Sequence, residues 1–216
     1  MPRIPSLDAA AASIRIDAEQ GLLSSWAHST VVDEHTGGPV IEREVFDALH
    51  AAAGLAPDWP EGNAGILHVY GYWFSSVKTP FGMKRDRWVD GHLASALGLK
   101  PDAFLWRSST PENRVTETLL EPETLLKLVT EAALPLLHEP PAHVTGTADA
   151  RVGNLKTRVV LQRGPGADAT ALVYGIDAGD GFRLVTLFPL QGDTDAVMAD
   201  FTSNPRLRWN AVDPRG

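Results

Sequence analysis

TADARVGNLKTRVVLQ, residues 147–162, decides the fold. Leu155, Thr157, Val159 and Leu161 alternate with Lys156, Arg158, Val160 and Gln162. That two-residue period belongs to a strand, whose side chains point to alternate faces. Gly153-Asn154 is a two-residue hairpin signal, so Thr147–Val152 is the strand before it. Downstream, Ala171–Ile176 and Phe182–Phe188 form a second hairpin around Asp177–Gly181. A short helix near Thr194–Phe201 and a last strand, Arg206–Val212, follow. The last third therefore reads as an antiparallel sheet of about four to five strands.

Upstream of Pro140-Pro141 the pattern becomes helical. Ser6 caps a helix from Leu7 to about His28, with Gly21 as an interruption. A second helix runs from about Ile41 to Ala53. Its Ile41, Val45, Phe46 and Leu49 share one face, and Gly54 closes it. The turn Thr79–Gly82 leads into a helix from about Lys84 to Leu97, closed by Gly98. Another helix runs from about Pro122 to Leu137 and stops at Glu139-Pro140-Pro141. AGILHVYGYWFSSV, residues 64–77, reads as helix or as strand; its length favours helix, and Gly71 opposes it. The expectation is an α+β fold in a single domain, 1–216, with no flexible linker. A mainly helical N-terminal two-thirds (1–141) packs on one face of a C-terminal antiparallel sheet (142–216).

Composition excludes several chemistries. The chain has no Cys, which removes disulfides, thiolate catalysis, Cys-type zinc and iron–sulfur clusters. No HExxH, EF-hand, P-loop, GxGxxG or GxSxG spacing occurs, so no metal or cofactor is expected. His28, Asp33 and His35 are spaced too loosely to ligate a metal unless their loop folds back. MPRIPSLDAAAAS at the start has one Arg and no long apolar run, unlike a signal peptide or anchor. No stretch approaches the roughly 18 apolar residues of a membrane span. A cytoplasmic location without a membrane partner follows as the expectation. Arg outnumbers Lys 14 to 5, a bias that fits a high-GC bacterial source.

The net charge of −8 argues against general nucleic-acid binding. It is unevenly spread. Residues 1–62 carry 3 cations and 10 acids, whereas residues 63–108 carry 6 cations and 3 acids and are the only net positive segment. Lys84, Arg85 and Arg87 cluster there, at the start of an expected helix, where the dipole favours acids. An anion would repair that conflict. His68 and Tyr72, four residues apart in the apolar segment 64–77, are the candidate acid–base pair. The competing readings are a solvated basic turn and a hydrogen-bonded core histidine. A third candidate is a basic sheet face carrying Lys156, Arg158 and Arg183, against the plain reading of a solvated sheet surface.

Two functions follow. One is a metal-independent acid–base enzyme on a small anionic metabolite, held by Lys84, Arg85 and Arg87, with His68 or Tyr72 moving the proton. The other is a non-catalytic binding or regulatory protein whose basic sheet face docks an acidic partner, a second copy of its own acidic N-terminal region included. The hairpin ALVYGIDAGDGFRLVTLFP, residues 171–189, resembles the β-meanders of small bacterial ribonuclease-type toxins. That resemblance rests on hairpin rhythm over less than a third of the chain, and no residue role is carried over from it.

Overall fold

The computed structural model describes residues 4–79, 82–106, 123–142 and 144–213. Its largest element is a four-stranded antiparallel meander in the C-terminal half: β5 (Gly146–Val152), β6 (Leu155–Gln162), β7 (Thr170–Asp177) and β8 (Phe182–Leu190), adjacent in chain order. Val152 pairs with Leu155 across the Gly153-Asn154 turn, and Gly153 takes φ 59°, as that tight turn requires. The pairing is regular except at one bulge. Gly175 faces Leu184 and Tyr174 faces Thr186, so Val185 is an extra residue on β8.

Both faces of this sheet are covered. On one, Val160, Val173, Leu184 and Leu187 pack with Leu126, Val129, Ala133 and Leu137 of α5 (Leu125–His138). On the other, Val159, Leu172, Tyr174 and Ile176 pack with Phe201 of α6 (Thr194–Ser203) and with Trp209. Burying apolar side chains on two sides stabilises by roughly 25 cal/mol per Å² removed from water. Gly175 is needed where α5 crosses, because a Cβ there would stand 2.4 Å from Leu137 Cδ1 and 2.7 Å from the Arg183 carbonyl oxygen.

The first half corrects the expected layout. It is not a helical layer lying on one sheet face; the fold is mixed α+β with short, scattered helices. α1 (Leu7–Glu19) is capped by Ser6, whose Oγ accepts from the Ala9 N–H at 3.2 Å. It ends where Gly21 turns left-handed at φ 71°, so Gly21 terminates the helix rather than kinking it. A 3-10 turn, Leu22–Ser25, leads into β1 (His28–Thr30), which pairs with β2 (Glu61–Asn63). Between them lies α2 (Arg43–Ala52), with Phe46 and Leu49 buried. β3 (Lys78–Thr79) and β4 (Gly82–Met83) form a second two-stranded ladder.

Residues 64–74 are helical, but not α-helical throughout, and residues 75–77 leave the helix with Ser75 extended. A π-helical turn, Ile66–Tyr70, passes into a 3-10 turn, Gly71–Phe74. A Cβ on Gly71 would lie 2.5 Å from Ile41 Cδ1, so the glycine allows close packing there. The expected helix over Lys84–Leu97 is split into α3 (Asp86–Val89) and α4 (His92–Ala96) by Gly91 at φ 76°. The last expected strand, Arg206–Val212, is a loop that touches β1 through one bridge, Ser29 with Ala211. Among the described residues, no helix is long and apolar enough to cross a membrane.

Candidate functional site

The wide π-helical turn carries His68 inward, to the end of the sheet near the β8 bulge. His68 is buried, and each of its ring nitrogens has a hydroxyl partner. Nε2 lies 2.8 Å from Ser29 Oγ of β1, and Nδ1 lies 2.8 Å from Thr186 Oγ1 of β8. Arg87 Nη1 donates to Thr186 Oγ1 at 3.3 Å and to the Leu187 carbonyl at 3.0 Å. With His68 protonated at Nε2, the Thr186 and Ser29 hydroxyl protons both find acceptors. Arg87 donates to Thr186, Thr186 donates to His68 Nδ1, His68 Nε2–H donates to Ser29, and Ser29 donates to the Thr30 carbonyl at 3.4 Å. Burial pushes the His68 pKa well below its ordinary value of 6.5, and the charges of Arg87 and Lys84 push the same way. His68 is therefore a neutral, fully engaged imidazole at pH 7.

Tyr72 lies beside it. The two rings are 4.7 Å apart, and the Tyr72 hydroxyl is 3.5 Å from His68 Nε2 and accepts from Asn210 Nδ2 at 3.4 Å. Burial raises the Tyr72 pKa to about 12 although Arg87 opposes the rise, so the phenol keeps its proton. Lys84 Nζ sits 5.4 Å and the Arg87 guanidinium 5.1 Å from the centre of the Tyr72 ring.

These groups border one cavity of about 630 Å³. His68 and Tyr72 come from the helical segment, Lys84 and Arg87 from β4–α3, Thr186, Phe188 and Leu190 from β8, and Trp209 and Asn210 from the C-terminal loop. The two loop residues have φ of 52° and 69°. Asn tolerates that left-handed conformation, and a Trp there is unusual; such strain clusters at functional sites. Asn210 is held by β1, since its side chain donates to the Thr30 carbonyl at 3.1 Å and its carbonyl accepts from the Thr30 N–H at 2.8 Å. Trp209 packs against Tyr174 at 4.8 Å and Phe188 at 5.9 Å.

The cations of the cavity differ. Lys84 is bound to Asp33, Nζ to Oδ2 at 2.5 Å. Burial works against ionised Asp33, but Lys84 and the His35 and Thr36 N–H groups outweigh it and hold the carboxyl below 3.8. Arg208 pairs with Asp200. Arg87 is partly buried between the Tyr72 and Phe188 rings and has no carboxylate within ion-pair distance among the described residues. Its Nε and Nη2 make no hydrogen bond to the described residues, and burial lowers its pKa.

No known family, curated protein or solved structure matches the chain. The reading of the site rests on geometry alone.

The sequence-derived candidates divide on this geometry. His68, Tyr72, Lys84 and Arg87 line the one cavity; Arg85 is not among its lining residues. Lys84, Arg85 and Arg87 do not share the first turn of one long helix. α3 is a single turn that begins at Asp86, and Lys84 and Arg85 precede it. Lys156, Arg158 and Arg183 do not share one sheet face. Arg158 is opposite Gly175, on the α5 side, and Arg183 is opposite Ile176, on the α6 side. Each has a carboxylate: Lys156 with Asp177 at 3.8 Å, Arg158 with Asp149 at 2.6 and 2.7 Å, and Arg183 with Asp180. Arg158 also donates to the Leu137 carbonyl at 2.7 Å and lies over the Phe182 ring.

Ser29, Thr186, Phe188, Trp209 and Asn210 were not singled out from sequence. Thr186 stands 118 residues from His68, and no local pattern joins them. Among the described residues, no group of three or more His, Asp or Glu side chains is placed to hold a metal ion.

Proposed function

We propose that this protein binds a small organic anion in the cavity, with Arg87 as the counter-ion. The carrying observation is a partly buried guanidinium that lacks a carboxylate among the described residues while its neighbours Lys84 and Arg208 each have one. A desolvated charge without a partner is costly, and a bound anion removes that cost. Two donors, Nε and Nη2, remain for it, along an edge that suits bidentate binding. A volume of about 630 Å³ lies within the range of small-molecule sites.

A thermal-shift screen of small organic anions tests this reading. A ligand at one hundred times its Kd adds about 2.7 kcal/mol. For a chain of this size that raises Tm by roughly 5–10 °C. The expected result is such a rise in the native protein and none in Arg87→Gln. The reading fails if no anion shifts the native protein, or if Arg87→Gln responds equally.

One observation favours acid–base chemistry as a second reading. The Tyr72 hydroxyl is protonated, belongs to a buried residue bordering the cavity and has His68 at 3.5 Å. In that reading Tyr72 is the proton donor to a bound anion and His68 positions it; Lys84, tied to Asp33, contributes charge only. Tyr72→Phe would then keep ligand binding and abolish ligand proton exchange with D2O, followed by NMR. Unchanged exchange would remove the catalytic reading and leave binding intact.

A further inference from the structure

We infer that the anion is a monocarboxylate carrying an apolar body, with the carboxylate on Arg87 and the body along the second half of β8. The inference rests on the anion-binding reading and narrows its ligand class.

Charge balance limits the negative charge of the ligand. Lys84–Asp33 and Arg208–Asp200 neutralise themselves within the wall. That leaves Arg87 and Arg206 against Glu34, Asp86 and Asp90. That wall is one negative charge in excess before any ligand binds, so attraction is confined to the immediate surroundings of Arg87 and a second negative charge is opposed, which disfavours a phosphate dianion. The Nε and Nη2 donors, left without a bond to the described residues, match the two oxygens of a planar carboxylate.

The wall beyond Arg87 is apolar and partly exposed. Thr186, Phe188 and Leu190 lie two residues apart on one face of β8, starting from the hydroxyl that Arg87 touches. Four steps of about 3.4 Å, from Thr186 to Leu190, make a wall roughly 14 Å long. Val197 of α6 and Trp209 also line it, and Trp209 meets the edge of Phe188. Beyond the Thr186 hydroxyl, already bonded to Arg87 and His68, the polar group these side chains carry is the Trp209 indole N–H. A ligand that fills this wall removes apolar surface from water on both sides, which gives the body its affinity.

Four probes separate the two parts of the argument: 4-phenylbutyrate, its neutral amide, acetate and phenyl phosphate. Binding is read by thermal shift and by tryptophan fluorescence of the native protein. The expected result is that 4-phenylbutyrate binds at least tenfold more tightly than each of the other three, and that Arg87→Gln loses this preference over the amide. If acetate equals 4-phenylbutyrate, the apolar body is wrong. If phenyl phosphate binds as tightly or more tightly, the single-charge argument is wrong; in both cases the anion site stands provided Arg87→Gln abolishes binding. If none of the anions binds, or binding survives Arg87→Gln, this inference and the anion-binding reading fall together.

Discussion

Asp17→Asn should stabilise the protein at neutral pH and flatten its stability profile between pH 4 and 7. Asp17 of α1 is fully buried. Tyr70 donates to one of its carboxyl oxygens and Thr124 to the other. Burial raises its pKa from 3.8 to about 6, against the lowering effect of both hydroxyls. The folded state thus holds this proton more tightly than the unfolded state. The associated stability is fully present below pH 3.8 and is lost as pH rises through about 6. The rise corresponds to about 3 kcal/mol at 1.36 kcal/mol per tenfold in proton affinity. Asparagine is neutral at every pH, accepts from one hydroxyl and donates to the other. Urea unfolding of both proteins at half-unit steps from pH 4 to 7.5 measures the difference. The native-minus-variant stability should fall by about 2 kcal/mol across that window, because part of the full effect of about 3 kcal/mol is already lost at pH 4. A constant difference, or a variant less stable at pH 7 than at pH 4 relative to the native protein, would refute the reasoning.

Three further outcomes are expected. Asp33→Asn leaves Lys84 without its partner and should destabilise by about 3 kcal/mol at pH 7; because the Asp33 pKa is lowered, that loss should shrink as pH falls below 3.8, checked by urea titration at pH 3 and 7. Gly175→Ala drives a methyl into Leu137 and the Arg183 carbonyl and should cost about 3 kcal/mol, read as a lower urea midpoint at unchanged slope. Asn210→Ala should cost about 2 kcal/mol and Asn210→Gly about 1, since both lose the bond to Thr30 but only alanine is strained at φ 69°; equal losses would show that the left-handed conformation is not strained.

What was legible in the sequence followed from local rules. Alternation at 155–162 and the turn at Gly153-Asn154 are short-range, and they gave the meander correctly. Ser6, Gly54 and the Phe46/Leu49 face behaved as their local chemistry requires. The front half was misread where tertiary contact overrides propensity. β1–β2 joins residues over thirty positions apart, and such pairing has no periodic signature in three-residue strands. Glycines 21 and 91 look alike in sequence whether they kink a helix or end it. In the site, the four-residue spacing of His68 and Tyr72 was readable, and so was the local excess of cations. The partners were not: Ser29 and Thr186 reach His68 only through folding. Nor could charge counting show that Lys156, Arg158 and Arg183 are each matched by an acid and divided between two faces.

The extra residue at Val185 has a consequence for how this protein can change. Ahead of it, Leu184 points to the α5 side; beyond it, the even positions Thr186, Phe188 and Leu190 point to the cavity while Leu187 returns to the core. β8 thus behaves as two strands of opposite phase spliced at one residue. Its second half can exchange side chains at 188 and 190 without touching the packing beneath α5. Changes at 188 and 190 repack the α6 side of the sheet, where Phe188 and Leu190 meet its core, and leave the α5 side in place.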